Sequence, residues 1–274
     1  MRAARPISEG RSIDADGDVS AREMIDNQVD FQQGKQNPAY DLPFLFFMIA
    51  KQISKLTDSL EQLKDSHRAI GMKQYMRNQF EFLGITSVPR KELFTNWKKS
   101  LPNNLTSSQR WELIYEIWEK EEREYHYIAM DWLNSWKIAE IHENDHKNLK
   151  FLISNKSWWD TVDLLSSNAL GKFGQKFPNV MLEVIEEWSE EDSFWLHRAT
   201  IIFQLRYKLK TDLKTLSNQI IRFKGNKEFF IQKAIGWSLR EYAKTDPNWV
   251  KEFVAKQEIS GIAKREALKH LILD

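Results

Sequence analysis

Residues 226–257 read NKEFFIQKAIGWSLREYAKTDPNWVKEFVAKQ. This stretch predicts two helices, 226–243 and 246–257, because Thr245-Asp246-Pro247 marks a new start. A short polar side chain accepts a free N–H of the first turn, and proline suits the first helical position, where its missing N–H goes unused. Residues 192–207 pair in the same way with 211–221, restarting at Thr211-Asp212. Pairs of this kind recur every 30–45 residues along the chain. Such a period fits an all-α superhelix of stacked helix pairs, an α-solenoid with one concave face. No exact sequence repeat accompanies the period, so an irregular helical bundle fits the same pattern.

Helical periodicity extends in both directions from this stretch. Met48, Ile49, Ile53, Leu56, Leu60 and Leu63 recur at spacings of three and four. Tyr75, Gln79, Phe82 and Leu83 continue it to Gly84, which reads as a helix C-cap. Pro89, the cluster Thr106-Ser107-Ser108 and Ser260 read as further starts. No alternating strand pattern is found. About a dozen helices are expected over residues 46–274. Residues 1–45 read as a poorly ordered N-terminal extension, with Pro6, Gly10, Gly17, Gly34 and Pro38 among polar residues and no sustained stripe over 1–41.

Of the 274 residues, 42% are hydrophobic, enough for a sizeable core. There is no cysteine, which excludes disulfides, iron–sulfur clusters and thiol nucleophiles. The longest apolar run, Leu42–Ala50, is too short to span a bilayer, so a soluble, cytoplasmic protein with no membrane partner is expected. The net charge of +1 hides a split. From His197 to the end there are 16 Lys or Arg against 8 Asp or Glu, whereas Glu112–Asp145 holds 10 acidic and 3 basic residues. A basic concave groove facing an anion would follow from such a distribution.

Three segments carry side chains suited to chemistry. In Ser157–Asp163 (SWWDTVD), Trp159 and Asp163 are four apart and share a helix face. An indole beside a carboxylate suits a substrate that carries or develops positive charge. A core tryptophan with a capping or ion-paired aspartate has the same spacing. In Glu228–Lys244, Gly236 stands mid-helix, where it costs about 1 kcal/mol relative to alanine. Close approach of another helix or of a ligand would compensate. Lys233, Trp237, Arg240 and Lys244 fall on one face, which suits phosphates flanking a base or sugar, or else a solvated basic face around a buried tryptophan. In Phe194–Lys208, Arg198 lies on the apolar stripe Phe194, Ile201, Leu205 and needs a partner: Asp163, another carboxylate or a phosphate. Arg206, Lys208 and Lys210 then read as contacts to a nucleic-acid backbone.

Two metal-like patterns fail on spacing or context. His142-Glu143-Asn144-Asp145-His146 matches H-E-x-x-H, but Asn144-Asp145 interrupts it where a helix reads as ending. The two imidazoles would then not share one helix face. Asp14–Glu23 resembles a calcium loop but spans ten positions rather than twelve and lacks the sixth-position glycine.

Taken together, Met72–Ile85 (MKQYMRNQFEFLGI), Lys156–Asp163 (KSWWDTVD), Phe194–Lys208 (FWLHRATIIFQLRYK), Glu228–Lys244 and Lys264–His270 (KREALKH) resemble the AlkD-like family of DNA alkylation repair enzymes, HEAT-repeat alkylpurine DNA glycosylases. The resemblance covers about Met48–Asp274; residues 1–47 have no counterpart in it. It implies that 46–274 is a HEAT-like glycosylase domain excising N3-methyladenine and N7-methylguanine from alkylated double-stranded DNA. Asp163, Trp159 and Trp237 would serve the lesion and Arg198 the DNA backbone near it. Tyr75 would stand at the N-terminal edge of the groove, and Arg206, Lys208, Lys233 and Arg240, read from the basic faces of their own segments, would be further DNA contacts. It implies a monomer without metal, cofactor or obligate protein partner. A non-catalytic DNA- or protein-binding scaffold of the same fold is the alternative.

Overall fold

The computed structural model describes residues 42–271. The expected extension lies outside them up to residue 41, together with the calcium-loop candidate Asp14–Glu23. Residues 42–45 already belong to the first described helix, α1 (Leu42–Glu61). The chain continues through α2 (Ser66–Tyr75), α3 (Ser87–Ser100), α4 (Ser107–Trp118) and α5 (Arg123–Ser135) to α6 (Asp145–Ser154). Then α7 (Trp159–Leu164) widens into a π-helical segment, Leu165–Leu170, and resumes as α8 (Gly171–Lys176). The remaining helices are α9 (Pro178–Glu190), α10 (Phe194–Ile202), α11 (Leu213–Phe223), α12 (Phe229–Tyr242), α13 (Pro247–Lys256) and α14 (Gly261–Ala267). Among the described residues there is no strand, only one isolated bridge between Glu81 and Glu122. None of their helices is long and apolar enough to cross a membrane.

The fold is an all-α helical-repeat solenoid. Helices α5, α7, α10, α12 and α14 form one layer in which each packs on the next. Polar contacts between neighbouring helices reveal the repeat. Arg123 meets Asp160, Asp163 meets Arg198 and Lys233 meets Glu266 at separations of 37, 35 and 33 residues. In the other layer Tyr115 meets Asn148 and Glu186 meets Arg222 at 33 and 36. The period is therefore carried by contacts rather than by identical residues. Apolar side chains fill the space between the layers. Six of the 11 tryptophans (Trp97, Trp111, Trp118, Trp132, Trp136 and Trp188) are buried in this core.

Helix starts follow local chemistry. Thr106 and Gln109 form a reciprocal capping box, and Asp212 and Asp246 cap α11 and α13. Pro247 takes the first position of α13. The expected helix ending at Gly84 is not formed. Helix α2 stops at Tyr75, and Arg77 and Asn78 turn the chain with positive φ of 55° each. The buried Glu124 carboxylate then accepts the N–H groups of Leu83, Gly84 and Ile85 at 3.0, 2.9 and 3.0 Å. Those tertiary bonds replace helical ones. Gly84 is required by its φ of 87° and by the carbonyl oxygen of Asp65, 2.0 Å from where a Cβ would stand.

Candidate active site

The site is built on α7, and α7 is held from below by Arg123. This side chain is fully buried, and all five of its guanidinium N–H groups find acceptors. Nε and Nη2 donate to the two Asp160 oxygens at 3.0 and 2.7 Å, and Nη2 also donates to Thr161 Oγ1 at 2.8 Å. Nη1 donates to the Lys156 carbonyl at 2.8 Å and to His126 Nδ1 at 3.2 Å. The Phe80 ring lies 3.7 Å from the guanidinium centre, and Tyr127 donates its hydroxyl to Asp160 at 2.7 Å. Because His126 accepts at Nδ1, its Nε2–H faces the carbonyls of Trp118 and Lys120. Burial, with Arg123 and Lys156 nearby, pushes the His126 pKa down to about 3 and keeps the ring neutral. Asp160 and Thr161 belong to the first turn of α7, so this network sets the direction in which Trp159 and Asp163 leave the helix.

Asp163 faces the next helix in the layer. Arg198 of α10 donates Nε and Nη2 to its two oxygens at 2.6 and 2.9 Å, and Nη1 to the Phe230 carbonyl on α12. Burial nevertheless raises the Asp163 pKa above the usual aspartate value, against the opposing pull of Arg198, with Asp160 adding to the rise. The carboxylate side chain keeps 16% of its surface exposed. That surface opens into a cleft of about 440 Å³.

The cleft gathers Tyr75, Trp159, Asp163, Arg198, Lys233, Trp237 and Arg240, seven of the residues singled out from the sequence. Asp163 is the one carboxylate among its described lining residues. Tyr75 is 73% exposed and meets the Trp159 ring edge-on at 6.1 Å between centroids. Arg206 and Lys208 are not brought to this cleft. The helix expected over 192–207 ends at Ile202, so Arg206 lies exposed in the following turn. Lys208 lines a separate pocket with Lys244 and Thr245. Lys244 thereby leaves the face it was expected to share with Lys233 and Arg240. The H-E-x-x-H pattern straddles a helix start rather than an end: Asp145 begins α6 and accepts the His142 N–H, while His142 precedes the helix. Among the described residues no group of three or more His, Asp or Glu side chains could hold a metal ion.

Other lining residues carried no local signal. Arg77 reaches the cleft from the left-handed turn after α2, and Trp158, Phe229 and Phe230 supply aromatic walls. Glu266 of α14 pairs with both Lys233, at 2.7 Å, and Arg240. The mid-helix Gly236 was the available clue to Glu266. A Cβ at Gly236 would stand 2.4 Å from Glu266 Cβ and 2.8 Å from the Ala263 carbonyl oxygen. The compensation expected for that glycine is the close approach of α14.

The family model described as DNA alkylation repair enzyme matches residues 56–271. A solved structure described as a predicted DNA alkylation repair enzyme from Enterococcus faecalis is similar at 32% identity with a TM-score of 0.69. The match covers 77% of this chain and 98% of that one. No curated protein matches.

Proposed function

The chain belongs to the DNA alkylation repair enzyme family, and on that premise we propose that it is a glycosylase excising cationic alkylated purines, N3-methyladenine and N7-methylguanine, from duplex DNA. The observation that supports this reading best is the single cleft in which Asp163 lies among Trp159, Trp237 and Tyr75. Alkylation at a ring nitrogen gives the base a positive charge. When the N-glycosidic bond breaks, the base takes the bonding electrons and leaves neutral, so it needs little help from an acid. Positive charge develops instead on the sugar, as in glycoside hydrolysis. Water then adds to C1′ and gives up a proton, leaving an abasic site.

The side chains suit those demands. Arg198 occupies one lone-pair direction on each Asp163 oxygen and leaves others for the sugar and the attacking water. The indoles of Trp159 and Trp237 offer π-faces to the charged nucleoside. Arg77, Lys233 and Arg240 are the cations for the flanking phosphates. Three Arg198 donors are used inside the protein, so a contact from Arg198 to DNA would use the remaining two. An open cleft of this size suits a lesion that stays stacked while the enzyme works along the backbone.

A scaffold that only binds DNA is the competing reading, because the Asp163–Arg198 pair would also serve as a tie between α7 and α10. The deciding experiment is base release from methylated duplex DNA by wild type and Asp163→Asn. Release by wild type and its loss in the variant support the glycosylase. Binding without release by wild type sinks it.

A further inference from the structure

The cations of the cleft differ in one respect. Arg198 is paired with Asp163, and Lys233 and Arg240 share Glu266, whereas Arg77 has no ion pair among the described residues. Glu266 spans its two partners with one oxygen each: Oε1 meets Lys233 Nζ and Oε2 meets Arg240 Nη1. The side chain is only 20% exposed, and the cations lower its pKa, with the Lys233 hydrogen bond as the leading cause. Its position depends on Gly236, since any larger residue there would meet Glu266 Cβ. Two of the four cations lining the cleft are thus engaged by one carboxylate that does not itself line it.

We infer that Glu266 is an internal surrogate for a DNA phosphate, occupying the Lys233–Arg240 site until a backbone phosphate displaces it. A carboxylate and a phosphate present similar pairs of anionic oxygens to such a fork. The exchange rests on the duplex-binding reading given above. While Glu266 is in place the site contributes little to the attraction of ordinary duplex, and Arg77 is the cation that meets the polyanion first. Glu266 thus lowers affinity for undamaged DNA, which would otherwise hold the enzyme wherever phosphates are found. A docked lesion supplies the additional contacts needed to complete the displacement.

The test compares wild type with Glu266→Gln, an isosteric change, for binding to an undamaged duplex across a range of KCl. Glu266→Ala serves as a second variant should the amide fold poorly, with melting curves for all proteins. Expected are about tenfold tighter binding near 0.1 M salt and a log–log salt slope steeper by about 0.9 for each cation freed. Base release from methylated duplex should also become more sensitive to excess undamaged competitor. Unchanged affinity and slope, or weaker binding with a lowered melting temperature, overturn the inference and leave Glu266 as a structural tie. If that happens while wild type still binds duplex and releases base, the glycosylase reading stands and this one alone fails. A wild type that binds no duplex overturns both.

Discussion

Asp163 and Arg198, 35 residues apart, meet across α7 and α10 in a two-pronged pair with N–O distances of 2.6 and 2.9 Å. Arg198 is the more deeply buried partner, with 5% of its side chain exposed against 16% for Asp163. The guanidinium therefore acts as a fixed mount, and the carboxylate is the half that reaches the cleft. Breaking a buried pair from one side leaves an uncompensated charge, which costs about 3–5 kcal/mol. Arg198→Met should accordingly lower stability far more than a surface change would. Denaturant titration of the variant checks this.

The raised pKa of Asp163 has opposite consequences for activity and for stability. Catalysis as proposed needs the carboxylate, so base release should decline as pH falls through its raised value, above the ordinary 3.8. Stability runs the other way at this residue. The folded chain binds the proton more readily than the unfolded chain, so the Asp163 contribution improves as pH falls through the same range. Asp163→Asn should remove the acidic limb of the pH–rate profile and lower release by about 100-fold or more, as loss of one preorganised charge-stabilising group does elsewhere. A variant that keeps the limb would assign it to another group.

Tyr75 offers a cleaner separation of function from folding. At 73% exposure it contributes little to the core, so Tyr75→Ala should change stability by no more than about 0.5 kcal/mol. Its ring stands edge-on to Trp159 at the cleft, so base release should fall nonetheless. Melting curves and release rates measured on one preparation test both halves.

What could be read from the sequence was local in origin. Asp212 and Asp246 cap helices because an aspartate two or three residues before an amide is enough to bond it. Trp159 and Asp163 share a face because four residues make about one turn. Gly236 announced a close neighbour without identifying it. The partners that were missed all lie across the stack. Glu266 is 33 residues from Lys233, Asp160 is 37 from Arg123, and Glu124 is about 40 from the amides around Gly84. Separations of that size are set by how helices register in successive layers, and no spacing rule within one helix encodes them. Arg206 and Lys208 fall outside the expected helix for a related reason. A helical pattern continues past Ile202, but Gln204 turns to bond the backbone of Asp212, exchanging bonds at 2.7 and 3.2 Å that hold the following turn.

His126 gives the fold a distinct acid sensitivity. Its pKa is lowered from 6.5 to about 3, so the unfolded chain takes up a proton that the folded chain refuses. The stability this residue provides is complete above pH 6.5 and is lost as pH falls toward 3, at up to about 1.4 kcal/mol per unit. His126→Gln, which cannot titrate, should show a shallower decline between pH 6.5 and 4. Equal slopes for the two proteins would move the sensitivity to other groups.

Gly236→Ala sets two effects of opposite sign against each other. Alanine is the better helix former by about 1 kcal/mol, which alone would stabilise α12. The added methyl group, however, would stand 2.4 Å from Glu266 Cβ and 2.8 Å from the Ala263 carbonyl oxygen, both on α14. Overpacking of this kind costs about 1–3 kcal/mol, and the obstacle here includes backbone that a side-chain rotation cannot move. The clash should win, with a net loss of stability and α14 displaced outward. Because α14 carries Glu266, the same substitution should loosen its hold on Lys233 and Arg240 and tighten binding to undamaged duplex even as the melting temperature falls. A more stable variant with unaltered DNA affinity would show that α14 adjusts at little cost and that Gly236 is not what seats Glu266.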